Sequence, residues 1–180
     1  MKHLITTLAF AATALGSAQA ATYQTVVPEK SSVTFSYKQM GVTMDGKFKK
    51  FSAQVSLDTA KLDKAKGSID IDLASIDTGS SEADQEVVGK SWFNVAAYPR
   101  ASFVLKGLKA TGANQYEATG QLTIKGQTRE LHAPLKLLPQ GALTGSFVLK
   151  RADYAIGEGM WAKFDVVANE ITVHFNLSLK

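Results

Sequence analysis

The chain has no cysteine among its 180 residues. This excludes disulfide bonds, thiolate metal ligands, a cysteine nucleophile and a lipid anchor on an N-terminal cysteine. Histidine is scarce as well, with three in the whole sequence, and nothing resembles an H-E-x-x-H zinc motif or a G-x-S-x-G nucleophile elbow. We therefore predict no catalytic residues, no metal and no cofactor.

Concentrated positive charge is also missing. Lys and Arg total 20 against 16 Asp and Glu, and the resulting net charge of +4 is spread along the chain. Nucleic-acid binding needs a basic stripe or patch, so we expect no nucleic-acid partner.

Long apolar runs are lacking except near the N-terminus, where Leu4 to Leu15 follows the positive Lys2. This run is too short for a membrane span, which needs about 20 apolar residues. The small residues Ala18-Gln19-Ala20 come next, in the pattern read by signal peptidases. The sequence thus predicts a cleaved signal peptide over residues 1–20 and a periplasmic domain over residues 21–180.

The rest of the chain is rich in alternating apolar and polar residues, the pattern of strands with one buried face. Eight stretches show it: 33–37, 51–57, 69–73, 103–105, 116–124, 131–137, 143–149 and 171–179. Short turns such as Met44-Asp45-Gly46-Lys47 and Lys125-Gly126-Gln127 favour antiparallel neighbours. We predict an all-β fold, an eight-stranded antiparallel barrel, with a two-sheet sandwich as the alternative.

One irregular stretch separates predicted strands 3 and 4, over residues 75–100. It predicts a short helix capped by Ser81, with Asp84 three residues further on. Both tryptophans, Trp92 and Trp161, fall outside the regular strands.

The inward positions of the predicted barrel mix large and small side chains. The large ones include Phe35, Phe103, Phe147 and Phe175, and the small ones are Ala53, Ala118, Gly120, Ala133 and Gly145. An eight-stranded barrel is either just filled by its side chains or holds one small ligand. The pattern alone leaves both outcomes open.

The polar faces offer little chemistry. His132 and His174 are predicted to point outward into solvent, and Asp70 and Asp72 share one strand face without a visible third ligand. We interpret all four as solvated surface residues.

Several motifs, taken in order, resemble the YceI-like family of polyisoprenoid-binding periplasmic proteins. The most specific is Gly120-x-Leu122-Thr123-Ile124-Lys125-Gly126-x-Thr128-Arg129, followed by Arg151-x-Asp153-Tyr154-x-Ile156-Gly157. Ser31-x-Val33-x-Phe35, Gly46-x-Phe48-x-x-Phe51 and Trp92-Phe93 with Tyr98-Pro99 support it. Where the family often has an Arg-Asp-x-His-Leu helix, this chain reads Ala83-Asp84-Gln85-Glu86-Val87, which leaves the headgroup preference open.

The resemblance implies a lipocalin-like barrel that holds a long isoprenoid, of polyprenyl or quinone type, or a similar long-chain lipid. It also implies a homodimer, a cytochrome b561-type membrane partner and no established catalytic role. The apolar channel contacts carried over by motif position are Phe35, Phe48, Phe51, Trp92, Phe93, Phe103, Leu122 and Ile124.

Two other functions stay open at this point. A barrel with a filled core would serve as a stress or interaction protein, and it predicts no internal cavity. An enzyme acting on a lipid or quinone predicts a titratable group at the channel mouth, such as Asp153 or Glu158.

Overall fold

The computed structural model describes residues 20–180, so the predicted signal peptide lies outside the described residues apart from Ala20. In this range the chain forms eleven strands and one α-helix, α1 (Ser81–Val87). The strands are β1 (Thr22–Tyr23), β2 (Ser32–Gln39), β3 (Val42–Phe48), β4 (Phe51–Asp58), β5 (Lys66–Asp72), β6 (Ile76–Asp77), β7 (Arg100–Gly112), β8 (Gln115–Ile124), β9 (Gln127–Leu137), β10 (Ala142–Lys150) and β11 (Val167–Ser178). Short 3-10 turns occupy Pro28–Lys30, Leu62–Lys64, Leu73–Ser75, Pro139–Gly141, Arg151–Tyr154 and Gly159–Trp161.

All strands belong to one antiparallel sheet in the order β1-β4-β5-β7-β8-β9-β10-β11-β2-β3-β6. The sheet curls round on itself as a half-barrel, but its order has two ends, β1 and β6, each a strand of two residues. The prediction of eight strands closing into a barrel was therefore wrong in number and in closure. Very short end strands limit the exposed hydrogen-bonding edge, as barrel closure would have done.

The predicted strands are all present, and the three that sequence analysis missed are β1, β3 and β6. The segment Met44-Asp45-Gly46-Lys47, predicted to be a turn, lies inside β3 and pairs with β2. The chain reverses earlier, at Met40 and Gly41, where φ is 50° and 82°. Only glycine adopts positive φ freely, so Gly41 suits this turn.

The predicted helix is present. It lies between β6 and β7 and not between strands 3 and 4, because the structure contains the additional strands β1, β3 and β6, which apolar alternation did not reveal. Its N-cap is Ser80, one residue before the predicted cap, and Ser80 Oγ accepts a hydrogen bond from the Ala83 N–H at 3.4 Å. No helix within residues 20–180 is long and apolar enough to cross a membrane.

Buried side chains form two clusters inside the curled sheet. The helix-side cluster consists of Leu73, Trp92, Ala101, Leu122, Ile124, Tyr154, Ile156 and Val167. The termini-side cluster consists of Leu57, Tyr116, Leu137, Leu143, Leu177 and Leu179. At the second cluster the two ends of the described chain meet, since Val26 bridges to Leu179 and the Gln24 N–H bonds to the Lys180 carbonyl.

Candidate functional site

A cavity of about 620 Å³ lies inside the curled sheet, and members of both clusters line it. Its walls are mostly apolar side chains from strands all round the sheet. Strand β2 alone lines it with Val33, Phe35, Tyr37 and Gln39, a length of about 20 Å at the usual rise of a strand. This volume falls within the ~300–1,000 Å³ typical of ligand sites.

Large inward side chains leave this space open because phenylalanine rings lie over glycines of neighbouring strands. A methyl group added at any of these glycines would overlap a ring, in the pairs Gly46 with Phe35, Gly120 with Phe103 and Gly145 with Phe175. Each ring lies along the wall, and all three phenylalanines still line the cavity. The glycines therefore make room for rings that would otherwise fill the middle of the interior.

The small alanines behave in two ways. Ala118 and Ala133 are buried and line the cavity directly, as the inward pattern predicted. Ala53 is only partly buried and packs against the termini-side cluster.

Most of the predicted contact residues surround the cavity. The lining includes Phe35, Phe48, Trp92, Phe93, Phe103, Leu122 and Ile124. Phe51 lies elsewhere, packed against the termini-side cluster. Contact of these side chains with a ligand stays a prediction.

The cavity reaches the surface beside α1. The solvent-exposed lining residues there are Gln39, Met44, Ser80, Glu82 and Glu86, which we call the mouth. Trp161 also lines the cavity, and its indole Nε1–H donates to Glu86 Oε1 at 2.9 Å. This bond joins the helix to the 159–161 turn across the mouth.

Next to the mouth, Asp84 is held by Thr78. Asp84 Oδ1 accepts the Thr78 backbone N–H and the Thr78 hydroxyl, each at 2.7 Å. These bonds, the backbone one first, lower the pKa of Asp84, with a smaller contribution from Lys49. Burial, and then the negative charge of Asp84, raise the pKa of Tyr37 on the cavity wall. The anionic charge at the helix is therefore felt inside the cavity.

Arg151 is a site residue that sequence reasoning missed. Its side chain lines the cavity yet is 1% exposed, and its guanidinium lies over the rings of Trp92 and Phe164 at 5.4 and 5.0 Å. It donates to backbone carbonyls, those of Ile156, Gly157, Trp161, Lys163, Val167 and Ala168, at 2.7–3.2 Å. Burial lowers the pKa of Arg151. The sequence could have indicated the inward orientation of Arg151, because position 151 continues the inward alternation of 143, 145, 147 and 149.

Lys125 holds the other side of the loop after β10, which Arg151 also contacts. It and Gly126 have φ of 49° and 75°, as in a type I′ hairpin turn. The buried Lys125 Nζ donates to the Lys90 and Ala155 carbonyls and to Glu158 Oε2, the last at 2.7 Å. Glu158 thus lies on the surface, bonded to Lys125, and Asp153 is also exposed. Neither of these carboxylates, which the enzyme hypothesis named, lines the cavity.

The residues on polar faces have surface roles. His132 is exposed, with ring nitrogens 3.2 Å from Thr119 Oγ1 and 3.1 Å from Glu130 Oε1, and His174 is exposed too. Asp72 accepts the Ala74 N–H at 3.0 Å. Among residues 20–180 there is no group of three or more His, Asp or Glu side chains able to hold a metal.

A curled antiparallel sheet around an apolar cavity, open beside a short helix, defines an all-β half-barrel class of protein. Residues 24–179 match the YceI-like domain, and the chain belongs to this family, as its motifs indicated.

Its similarities to individual proteins agree with this. A UPF0312 protein of Azotobacter vinelandii is 28% identical over 145 residues, covering 78% of this chain and 76% of that protein. A UPF0312 protein of Pseudomonas savastanoi is 30% identical over 135 residues, covering 73% and 70%. The crystal structure of Burkholderia cenocepacia BcnA is 38% identical with a TM-score of 0.82, over 85% of this chain and 98% of that one. A polyisoprenoid-binding domain from Saccharophagus degradans shares the fold, with a TM-score of 0.63 and 17% identity over 88% and 97%.

Proposed function

We propose that this protein binds a long isoprenoid, of polyprenyl or quinone type, or a similar amphiphilic lipid, in the cavity. The observation that carries the proposal is the elongated apolar cavity of about 620 Å³ with a polar mouth beside α1. Burial contributes about 0.8 kcal/mol per CH₂ group, so a chain of ~15 such groups gains roughly 12 kcal/mol before the several kcal/mol lost on association. A long chain would be retained, whereas a short acyl group would be held weakly.

Two further points support a lipid ligand. The structural relative from Saccharophagus degradans is described as a polyisoprenoid-binding domain. A filled-core interaction protein would have no cavity of this volume, so the cavity favours binding over that alternative.

We place this activity in the periplasm, as a carrier without catalysis. The support for the location is the signal-like pattern of residues 1–20. Cell fractionation and N-terminal sequencing should find the mature chain in the periplasm, beginning at Ala21. A cytoplasmic chain that keeps Met1 would contradict this location.

The direct test is mass spectrometry of an organic extract from the purified protein. We expect a long-chain lipid in near-stoichiometric amount, and we expect added isoprenoid alcohol to change the fluorescence of Trp92 and Trp161. A clean extract together with no fluorescence change would refute the proposal. A ligand that is recovered chemically altered would support the enzyme alternative instead.

A pair of variants on β8 localises the binding. Ala118→Phe places a ring in the cavity, since Ala118 is buried in its wall. Glu117→Phe adds the same ring to the exposed face of the same strand. We expect the first variant to lose bound lipid and the second to keep it, and equal lipid content in the two would place the ligand elsewhere.

The family resemblance extends the proposal to a homodimer and to a cytochrome b561-type membrane partner. Light scattering of the purified protein measures its mass and tests the dimer. Co-purification from solubilised membranes, with the partner identified by its haem spectrum, tests the membrane protein.

A further inference from the structure

The sheet separates between β5 and β7. The antiparallel pairing of these two strands ends where Ser68 lies opposite Val104. Strand β5 continues beside β4, where Lys66 pairs with Ser56. The register of β7 against β8 shifts by one residue at Lys106, immediately after the last pair with β5. A bulge of this kind bends its strand, which accounts for the divergence of β7 from β5.

The cavity reaches the surface a second time at this gap. Its lining includes Ser56, Lys66 and Ser68, which share the outward face of β4 and β5. The inward neighbours Val55 and Gly67 line it as well. Successive side chains of a strand point to opposite faces, so both faces border one cavity only where it passes the edge of the strand. We call the opening lined by Ser56, Lys66 and Ser68 the side opening.

The side opening offers a free positive charge. Lys66 is exposed, and within residues 20–180 its nitrogen has no carboxylate oxygen within 4.0 Å. Asp63 pairs with Lys64, and Asp70 lies four residues further along β5, at about 13 Å for the usual rise of a strand. Ser56 lies directly opposite Lys66, with Cβ atoms about 5 Å apart in such pairs. Its hydroxyl therefore adds a second donor beside the ammonium group.

The two openings carry opposite charge. Glu82 and Glu86 line the mouth, and within residues 20–180 neither has a lysine or arginine nitrogen within 4.0 Å. Arg151 also lines the cavity, but its N–H groups bond to backbone carbonyls. An anionic group is therefore repelled at the mouth and attracted to Lys66 at the side opening.

This polarity points to a ligand class, and the inference rests on the lipid-binding function proposed above. We propose that the cavity binds long-chain carboxylates with the carboxylate at the side opening. Lys66 forms the ion pair, Ser56 donates a hydrogen bond, and a single ammonium group matches the single charge of a carboxylate. The chain enters past the termini-side cluster, against which Val55 packs, and ends in the helix-side cluster.

The first test separates the head of the ligand from its chain. Hexadecanoate and hexadecanol have the same chain length, and each is titrated into the lipid-free protein at about pH 8 and low ionic strength by calorimetry. Lys66→Gln removes the charge at an exposed position and keeps a polar side chain. We expect it to weaken hexadecanoate binding about fivefold and to change hexadecanol binding less than about twofold, as an exposed ion pair implies.

Matched variants assign the effect to the side opening. Lys109→Gln, on β7, makes the same charge change at an exposed position outside the lining and should leave both affinities unchanged. Lys66→Arg keeps the charge and should retain the binding of hexadecanoate. Acetate carries the same head without the chain, and at the concentration of hexadecanoate it should not compete.

The direction of the bound chain is tested by photocrosslinking. A diazirine on the last carbon of hexadecanoate lies far from the carboxylate. We expect it to label the helix-side end of the cavity, at Trp92 or Phe93. Labelling at Ala65, beside the side opening, would overturn the proposed orientation.

The outcomes separate this site from the proposed function. Equal effects of Lys66→Gln and Lys109→Gln on hexadecanoate overturn the carboxylate site, whereas continued binding of hexadecanol leaves lipid binding intact. Displacement of hexadecanoate by acetate at equal concentration would make the side opening a site for free anions and overturn the assignment to a lipid head. If neither long-chain ligand binds, the lipid-binding function itself fails.

Discussion

Arg151 carries its positive charge inside the protein, and no carboxylate within residues 20–180 forms an ion pair with it. Its compensation comes from backbone carbonyls of the 156–168 segment and from two aromatic faces. Those carbonyls would otherwise need water or another N–H or O–H donor, because a buried polar group without a partner is costly. A single side chain therefore holds together the irregular loop that forms one side of the mouth.

Replacing Arg151 should destabilise the irregular loop that its side chain holds together. Arg151→Lys keeps the charge but offers three donors on a flexible stem, so most of the carbonyl bonds are lost. We expect unfolding free energy to fall by about 3 kcal/mol or more, measured by urea denaturation. Arg129→Lys is the control, because within residues 20–180 the exposed Arg129 donates only to the Asp153 carbonyl, and it should cost less than about 1 kcal/mol. Equal losses in the two variants would contradict this role.

Asp84 predicts an acid dependence of stability. Its pKa is lowered in the folded state by the hydrogen bonds from Thr78, so its stabilising effect is complete above the unfolded pKa of about 3.9 and is lost as pH falls through the lower folded value. The melting temperature of Asp84→Asn should therefore fall less steeply than that of the wild type between pH 5 and the acid limit. Glu117→Gln, an exposed change of the same charge, should keep the wild-type slope. Identical slopes for Asp84→Asn and the wild type would show that the hydrogen bonds between Thr78 and Asp84 do not cause the acid dependence of stability.

At the scale of strands, what could be predicted depended on burial. Strands with one apolar face, such as β8 and β11, show alternating apolar and polar residues, and the sequence predicted them well. Strand β3 is mostly exposed, and β1 and β6 have two residues each, so no periodicity could reveal them. Their existence depends on pairing with β2, β3 and β4, which are non-local contacts.

The candidate site was predictable to the same extent. Inward positions on strands and the motif around Trp92 identified most of the wall. Whether the interior is open could not be predicted, because it depends on cross-strand register that places each phenylalanine over a particular glycine. The mouth was missed as well, since Glu86 and Trp161 are far apart in sequence and meet only in the folded protein.

The glycine and phenylalanine pairing can be tested directly on β8. A methyl group at Gly120 would overlap the Phe103 ring and lie 2.6 Å from the Val104 carbonyl oxygen, so Gly120→Ala must displace both the ring and the neighbouring backbone. We expect a loss of about 1–3 kcal/mol in unfolding free energy and weaker lipid binding. Gly107→Ala, on the neighbouring strand β7, has nothing within 4 Å of the added carbon and should change neither by a measurable amount. Wild-type binding by Gly120→Ala would show that the ring can move without narrowing the site.

The whole molecule is a curled sheet whose two ends come together without pairing as strands. Residues 49 and 50 join β3 to β4 across this place, where the Lys49 N–H bonds to the Ser75 carbonyl and the Lys50 N–H to Ser75 Oγ. Ser75 Oγ in turn donates to the Asp72 carbonyl at 2.7 Å. The turn Leu73–Ser75 thus fastens the two edges by side-chain and turn contacts.

Because the cavity is lined by both clusters, a bound chain would contact the two halves of the core at once. Ligand binding to the folded state alone stabilises it by about 2.7 kcal/mol at a free concentration 100 times Kd. We therefore expect geranylgeraniol to raise the melting temperature of a single cooperative transition. Amide hydrogen exchange should slow at Leu122 and Val167 in the helix-side cluster and also at Leu137 and Leu177 in the termini-side cluster. Ala118→Phe, with its cavity occupied, should show neither effect. Protection confined to the helix-side cluster would instead mean that the ligand is held at the mouth and does not fill the channel.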